Sequence, residues 1–229
     1  MTSHSLYHNV HLSPCPAQPA MRTDRERNAG ELVGTLVEHL IRRLLSDYLP
    51  LKAERMLTWQ QPATHGSSVW LQRELDVVAG LDRQTLLLCE IKLTTPRKMA
   101  SGTGQEQLQT ATQILQSAQP VRHVLRRLVY VGEEATCNIS DWPSVSLQDM
   151  TRPTGIIWFT PATIEKAALS QGIQLPHSWQ DPTYRSRSLS PVEWRSYADR
   201  LVTSKSFEPP VEYARSRNDS YYAPYRLAC

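Results

Sequence analysis

The sequence predicts an α/β (α+β) domain, a mixed central β-sheet flanked by helices. Three observations predict it. Leu32, Val33, Leu36, Val37, Leu40, Ile41 and Leu44 recur at the helical period and cover one broad arc. The apolar run "TLLLCEIKLT", residues 85–94, is long enough for a strand with both faces covered. Helix-like and strand-like segments follow one another as helix, strand, strand, helix, strand, strand, helix up to residue 172.

Residues 1–26 carry Pro and His without periodicity and read as a flexible N-terminal arm, or a segment that orders on a partner. His4, His8 and His11 read as solvated histidines, because no carboxylate or cysteine stands at ligand spacing. The core domain is expected over residues 27–175. Its first helix, "GELVGTLVEHLIRRLLSDYL", stops near Pro50 and places Glu31, Gly34 and Glu38 together at the edge of the apolar arc. A Gly inside a helix costs about 1 kcal/mol against Ala, so Gly34 predicts close approach by another element. "RMLTWQQ" offers a further strand.

In "HGSSVWLQRELDVVAG", Val69, Leu71, Leu75 and Val77 point one way; Trp70, Gln72, Glu74, Asp76 and Val78 point the other. Gly80 and "LDRQ" turn the chain into the apolar strand. There Glu90 and Lys92 share a face with Leu86 and Leu88, opposite Cys89, Ile91 and Leu93. A basic loop, "TTPRKMASGTG", leads to the helix "QEQLQTATQILQSA", ended by Pro120. The strands "VRHVLRRLVYVG" and "GIIWFT" follow. The helix "PATIEKAALSQG" has Pro at its start and Gly at its end. From residue 176 to 229, Pro, Ser, Arg and Tyr dominate: a C-terminal extension with a tail and one short helix, which Ser190 caps with Glu193 completing a capping box.

Hydrophobic residues are 40% of the chain and mean hydropathy is −0.43. No apolar run approaches the roughly 20 residues of a membrane span, and the N-terminus lacks the signal-peptide pattern. The sequence therefore reads as cytoplasmic, with no membrane partner. Cys15, Cys89, Cys137 and Cys229 form no CxxC pair, which speaks against a zinc site or disulfide framework. A net charge of +3 is compatible with nucleic acid without being diagnostic of it.

Asp76, Glu90 and Lys92 interrupt runs that should be buried, and burying a lone charge costs several kcal/mol. A surface hairpin with a polar outer face fits poorly with Leu86 and Leu88 beside Glu90. A structural Glu–Lys pair leaves Asp76 unexplained. Two hairpin-linked strands can bring Asp76 and Glu90 together, and two converging carboxylates repel unless a cation lies between them. Mg²⁺ suits one or two carboxylates plus a phosphate. Such an ion polarises phosphorus and acidifies a water, and Lys92 can orient that water or meet charge on the phosphate. These are the parts needed to hydrolyse a phosphodiester.

Asp-x(13)-Glu-x-Lys on a hairpin, after a helix bearing a glutamate, resembles the PD-(D/E)XK nuclease superfamily over residues 28–132, more weakly to about 170. The resemblance implies a restriction-endonuclease-like core and a Mg²⁺- or Mn²⁺-dependent deoxyribonuclease. It further implies a cut leaving 5′-phosphate and 3′-hydroxyl ends. It assigns metal binding to Asp76 and Glu90, with Glu38, or else Glu31, as a helix ligand, and a catalytic role to Lys92. Gln107, with Gln105 and Gln109 as rivals, matches the glutamine some members carry on the next helix. "EL" stands before Asp76 where many members have proline. The four-cysteine iron–sulfur set of some members is absent, and Ala111 replaces the tyrosine of their glutamine motif. Members serve defence, mobile elements and recombination, often within larger complexes.

A DNA substrate (RNA is not excluded) needs a basic rim, for which Arg97, Lys98, Arg122, Arg126 and Arg127 are the candidates. Trp59 and Trp70 read as packing residues rather than stacking platforms. A homodimer or protein partner is expected where both strands are cut. The competing reading is a non-catalytic nucleic-acid-binding or assembly subunit that keeps the nuclease fold. Acid–base chemistry on a sugar by paired carboxylates fits poorly with Lys92 beside Glu90.

Overall fold

The computed structural model describes residues 7–15, 27–62, 67–93, 102–118, 123–132, 142–190 and 192–193. The mixed α+β architecture expected from the sequence is present. A four-stranded sheet forms the centre, in the order β5 (Val77–Gly80), β6 (Thr85–Leu93), β7 (His123–Val131), β8 (Thr154–Phe159). β5 and β6 are antiparallel; β6, β7 and β8 are parallel. Helix α1 (Ala29–Ser46) precedes this sheet, α2 (Thr103–Ser117) links β6 to β7, and α3 (Pro161–Ser170) follows β8. No helix among the described residues is long and apolar enough to cross a membrane.

The local signals act as their chemistry requires. Asn28 caps α1 by accepting the Glu31 N–H at 2.8 Å. Thr160 caps α3 with Pro161 in its first turn, and Gly172, at φ +66°, follows its end. The capping box also forms: Glu193 Oε2 accepts the Ser190 N–H at 2.9 Å, and Ser190 Oγ accepts the Glu193 N–H at 3.3 Å.

Side-chain alternation divides the core into two layers. Val77, Ala79, Leu87, Cys89 and Ile91 pack with α1 and α3 on one face of the central sheet. Val78, Leu86, Leu88, Leu128 and Tyr130 pack with α2 on the other. Residues Leu86 to Ile91 are all buried, as a doubly covered strand demands.

A second, antiparallel sheet in the order β1 (His8–Pro14), β3 (Glu54–Pro62), β4 (Ser68–Glu74) lies over the α2 side through Val10, Leu57, Trp59 and Leu75. Two expectations change here. Residues 8–14, expected in the arm, are a strand paired with β3. The segment 67–80, expected as one strand, is two: β4 pairs with β3, β5 pairs with β6, and the chain changes sheets at Leu75–Asp76. Arg55 secures the break by donating to the carbonyl oxygens of Leu75 at 2.8 Å and Asp76 at 3.3 Å.

Part of the C-terminal extension also belongs to the core. Trp179 is buried with the α1–α3 layer, and Leu189 packs against Ala29, Leu32 and Leu36. A short helix, α4 (Pro182–Arg185), leads to β9 (Ser188–Leu189), which pairs with β2 (Arg27–Asn28) beside the start of α1.

Candidate active site

Extending the β5–β6 register by one step past Val77 and Cys89 sets Asp76 opposite Glu90. Asp76 uses its side chain to continue the ladder: Oδ2 accepts the Ile91 N–H at 2.7 Å. Glu90 is buried, and Lys92, two residues on and on the same face, donates from Nζ to Glu90 Oε1 at 2.6 Å. The same ammonium donates to Gln107 Oε1 of α2 at 3.0 Å. Of the three candidate glutamines on that helix, Gln107 therefore meets Lys92, whereas Gln109 lines a groove elsewhere.

Glu38 is the α1 acid at this place. It lies within the electrostatic reach of Asp76 and Glu90, while Glu31 sits exposed in the first turn. Burial pushes the Asp76 carboxyl up to about 7, and the charges of Glu90 and Glu38 add to it, against the Ile91 N–H and Lys92. Glu38 is raised too, by burial first, with Arg42 opposing and Glu74 and Glu90 adding.

Three arginines that the sequence reading did not single out complete the cluster. Arg42 lies 3.9 Å from Glu38, Arg55 is 2.9 Å from Glu74, and Arg73 is 3.9 Å from Glu90 Oε2. The stretch "REL" directly before Asp76 carried a signal for one of these arginines, Arg73, and for the acid beside it, Glu74, as charges inside an apolar alternation.

The donor set suits one cation between two carboxylates. Asp76 and Glu90 face each other, and the weakened acidity of Asp76 comes first from its burial and then from the nearby charges of Glu90 and Glu38. Among the described residues, however, no three His, Cys, Asp or Glu side chains stand together as a group able to hold a metal ion. Glu38, Asp76 and Glu90 are thus neighbours in charge but not an assembled three-ligand cage, and Glu90 is neutralised by Lys92 and Arg73.

Glycines mark the tight and open places. A Cβ on Gly104 would meet Leu128 Cδ2 at 2.8 Å and Lys92 Cε at 3.4 Å, so the first turn of α2 rests on the Lys92 stem. Among the described residues, a Cβ on Gly34 would meet nothing within 4 Å. The close approach expected there is not made by any described residue, because α1 packs through its buried apolar arc and Gly34 lies off it.

The basic rim is redistributed. Arg127 is 0% exposed, and its guanidinium donates to the carbonyl oxygens of Arg126 and Arg152, both at 2.8 Å. It is a buried structural residue, not a surface contact. The cause is strand alternation: consecutive side chains face opposite ways, so Arg126 and Arg127 cannot share a face. Arg126 points to the α2 side, 5.5 Å from the Trp142 ring, and lines a groove of about 440 Å³ with Gln109, Gln113 and His123. Arg97, Lys98 and Arg122 lie outside the described residues. Trp59 is buried as expected, whereas Trp70 is 53% exposed on β4, with His11 edge-on at 6.0 Å.

No protein-family model, curated protein or solved structure matches this chain.

Proposed function

We propose that the protein is a Mg²⁺- or Mn²⁺-dependent endonuclease that hydrolyses DNA phosphodiester bonds. One observation carries the reading: Asp76 and Glu90 oppose each other at the end of the central sheet, with Lys92 held between Glu90 and Gln107. Two carboxylates and an ammonium on rigid strands supply what phosphodiester hydrolysis requires. The Ile91 N–H fixes Asp76 Oδ2 and leaves Oδ1 for a cation. A divalent cation held by Asp76 and Glu90 would supply Lewis acidity and lower the pKa of water.

The side chains do the rest. Gln107 Oε1 and Glu90 Oε1 together aim the Lys92 ammonium. That ammonium orients the attacking water and meets charge developing on the phosphate oxygens. Burial of Glu90 keeps competing water away from one side of the centre. The reading takes the protein as cytoplasmic, acting in a defence, mobile-element or recombination system within a larger complex. Cleavage of both strands then needs a second centre, from a homodimer or a protein partner.

The test is cleavage of supercoiled, linear and single-stranded DNA and of RNA with Mg²⁺, Mn²⁺ or EDTA. Activity should require the metal and fall by at least about a hundredfold in Glu90→Gln and Lys92→Met, with circular dichroism unchanged. Wild-type rates in either variant would sink the mechanism.

A second reading has its own observation. Glu90 already has two cationic partners, and no three-ligand metal group stands among the described residues. That favours a nucleic-acid-binding or assembly subunit. Calorimetry finding no Mn²⁺ affinity alongside firm DNA binding would select it.

A further inference from the structure

We propose that Arg73 is an exchangeable counter-ion: its guanidinium neutralises Glu90 before a divalent cation binds, and passes to the phosphate of the bound strand once the cation has taken its place. The inference rests on Asp76 and Glu90 being the cation's ligands.

The three arginines of the cluster are committed to different degrees. Arg55 is bonded to two carbonyl oxygens and to Glu74, and it secures the passage between the sheets. Arg42 reaches the Asp76 carbonyl at 3.4 Å as well as Glu38. Among the described residues Arg73 has one contact, 3.9 Å to Glu90 Oε2, longer than a hydrogen bond. Nothing in that geometry locks the guanidinium in place.

The oxygen it faces is the one that matters. Lys92 donates to Glu90 Oε1 at 2.6 Å, which leaves Oε2, the oxygen opposite Arg73, as the less engaged one for a cation. A cation on that oxygen repels the guanidinium beside it, and the longer, unbonded contact is the one that yields. The Arg73 side chain is 25% exposed and sits next to the last residue of β4, an outer strand of its sheet, so it can turn outward by side-chain rotation alone. A freed guanidinium matches a phosphate with two parallel N–H donors, which an ammonium cannot do.

Calorimetric titration of Mn²⁺ into the full chain, without nucleic acid, and steady-state cleavage of an oligonucleotide over a range of KCl test this in wild type, Arg73→Gln and Arg73→Lys. Removing the competing charge should tighten Mn²⁺ binding roughly three- to tenfold in Arg73→Gln. The same variant should raise KM roughly tenfold, more than it lowers kcat. Its log(kcat/KM) should fall less steeply with log salt, by about one unit of slope. Arg73→Lys should keep the wild-type slope with an intermediate KM. Damage to the fold weakens metal binding, so a gain in affinity separates exchange from a structural role. Equal or weaker Mn²⁺ affinity in Arg73→Gln, with wild type binding the ion, overturns the exchange alone. A wild type that binds no Mn²⁺ overturns both it and the metal-site reading beneath it.

Discussion

The carboxylate of Asp76 accepts the backbone N–H of Ile91 at 2.7 Å, and Ile91 is the residue between Glu90 and Lys92. A side chain thus makes the bond that a longer β5 would have made with its backbone. The acid is thereby fixed in line with Glu90 and Lys92.

That placement makes the protein pH-sensitive. Folding moves the Asp76 carboxyl from an ordinary 3.8 to about 7, so between those values the folded chain holds a proton that the unfolded chain has lost. Stability therefore falls as pH rises through this window. Asp76→Asn should melt a few degrees above wild type at about pH 8 without metal, and lose that advantage near pH 4. Mn²⁺ affinity should climb with pH by up to roughly tenfold per unit below pH 7, as Asp76 gives up its proton. Differential scanning calorimetry and metal titration at stepped pH would check both slopes.

Gly104 should govern Lys92 without touching substrate. An added methyl group at residue 104 presses on Leu128 and on the Lys92 stem. Gly104→Ala should lower kcat roughly tenfold with little change in KM, since the ammonium is displaced rather than removed. Shortening the other neighbour, in Gly104→Ala/Leu128→Val, should restore part of the rate. Failure of the second change to help would mean that the glycine serves only the packing of α2.

Gly34 carries the opposite expectation. No described residue comes near it and its backbone is helical, so Gly34→Ala should stabilise the protein by roughly 0.5–1 kcal/mol in urea unfolding. A loss of stability would show that something covers this side of α1.

The adjacent arginines of β7 should separate cleanly. Arg127→Ala leaves the Arg152 carbonyl without its donor and a large hole in the core, costing roughly 2–4 kcal/mol. Arg126→Ala gives up a contact with Trp142 and should cost less than about 1 kcal/mol. If the groove edge meets DNA, Arg126→Ala is the one that weakens binding and flattens its salt dependence, read by fluorescence anisotropy.

Much of the fold could be read from single segments, because α1, β6, α2 and α3 each advertise their pattern locally, and α3 its ends as well. Glu90 and Lys92 could be placed on one face from strand alternation, and the register then sets Asp76 against Glu90. What escaped depends on which distant segments meet. β1 is too polar to announce itself, and exists through β3, forty or more residues away. The alternation shows no break at Leu75–Asp76, so pattern alone conceals the change of sheet. Arg73 joins Glu90, and Trp70 stays exposed, only because of where the small sheet lies.

The change of sheet at Leu75–Asp76 sets the order in which this protein fails. The acid sits on the seam, held on one side by Arg55 through the Leu75 and Asp76 carbonyls and on the other by Ile91. The central strands are anchored by two apolar layers, whereas the small sheet leans on one. Gentle heating or dilute denaturant will loosen the seam first, and the site will lose its geometry while the central layers still hold.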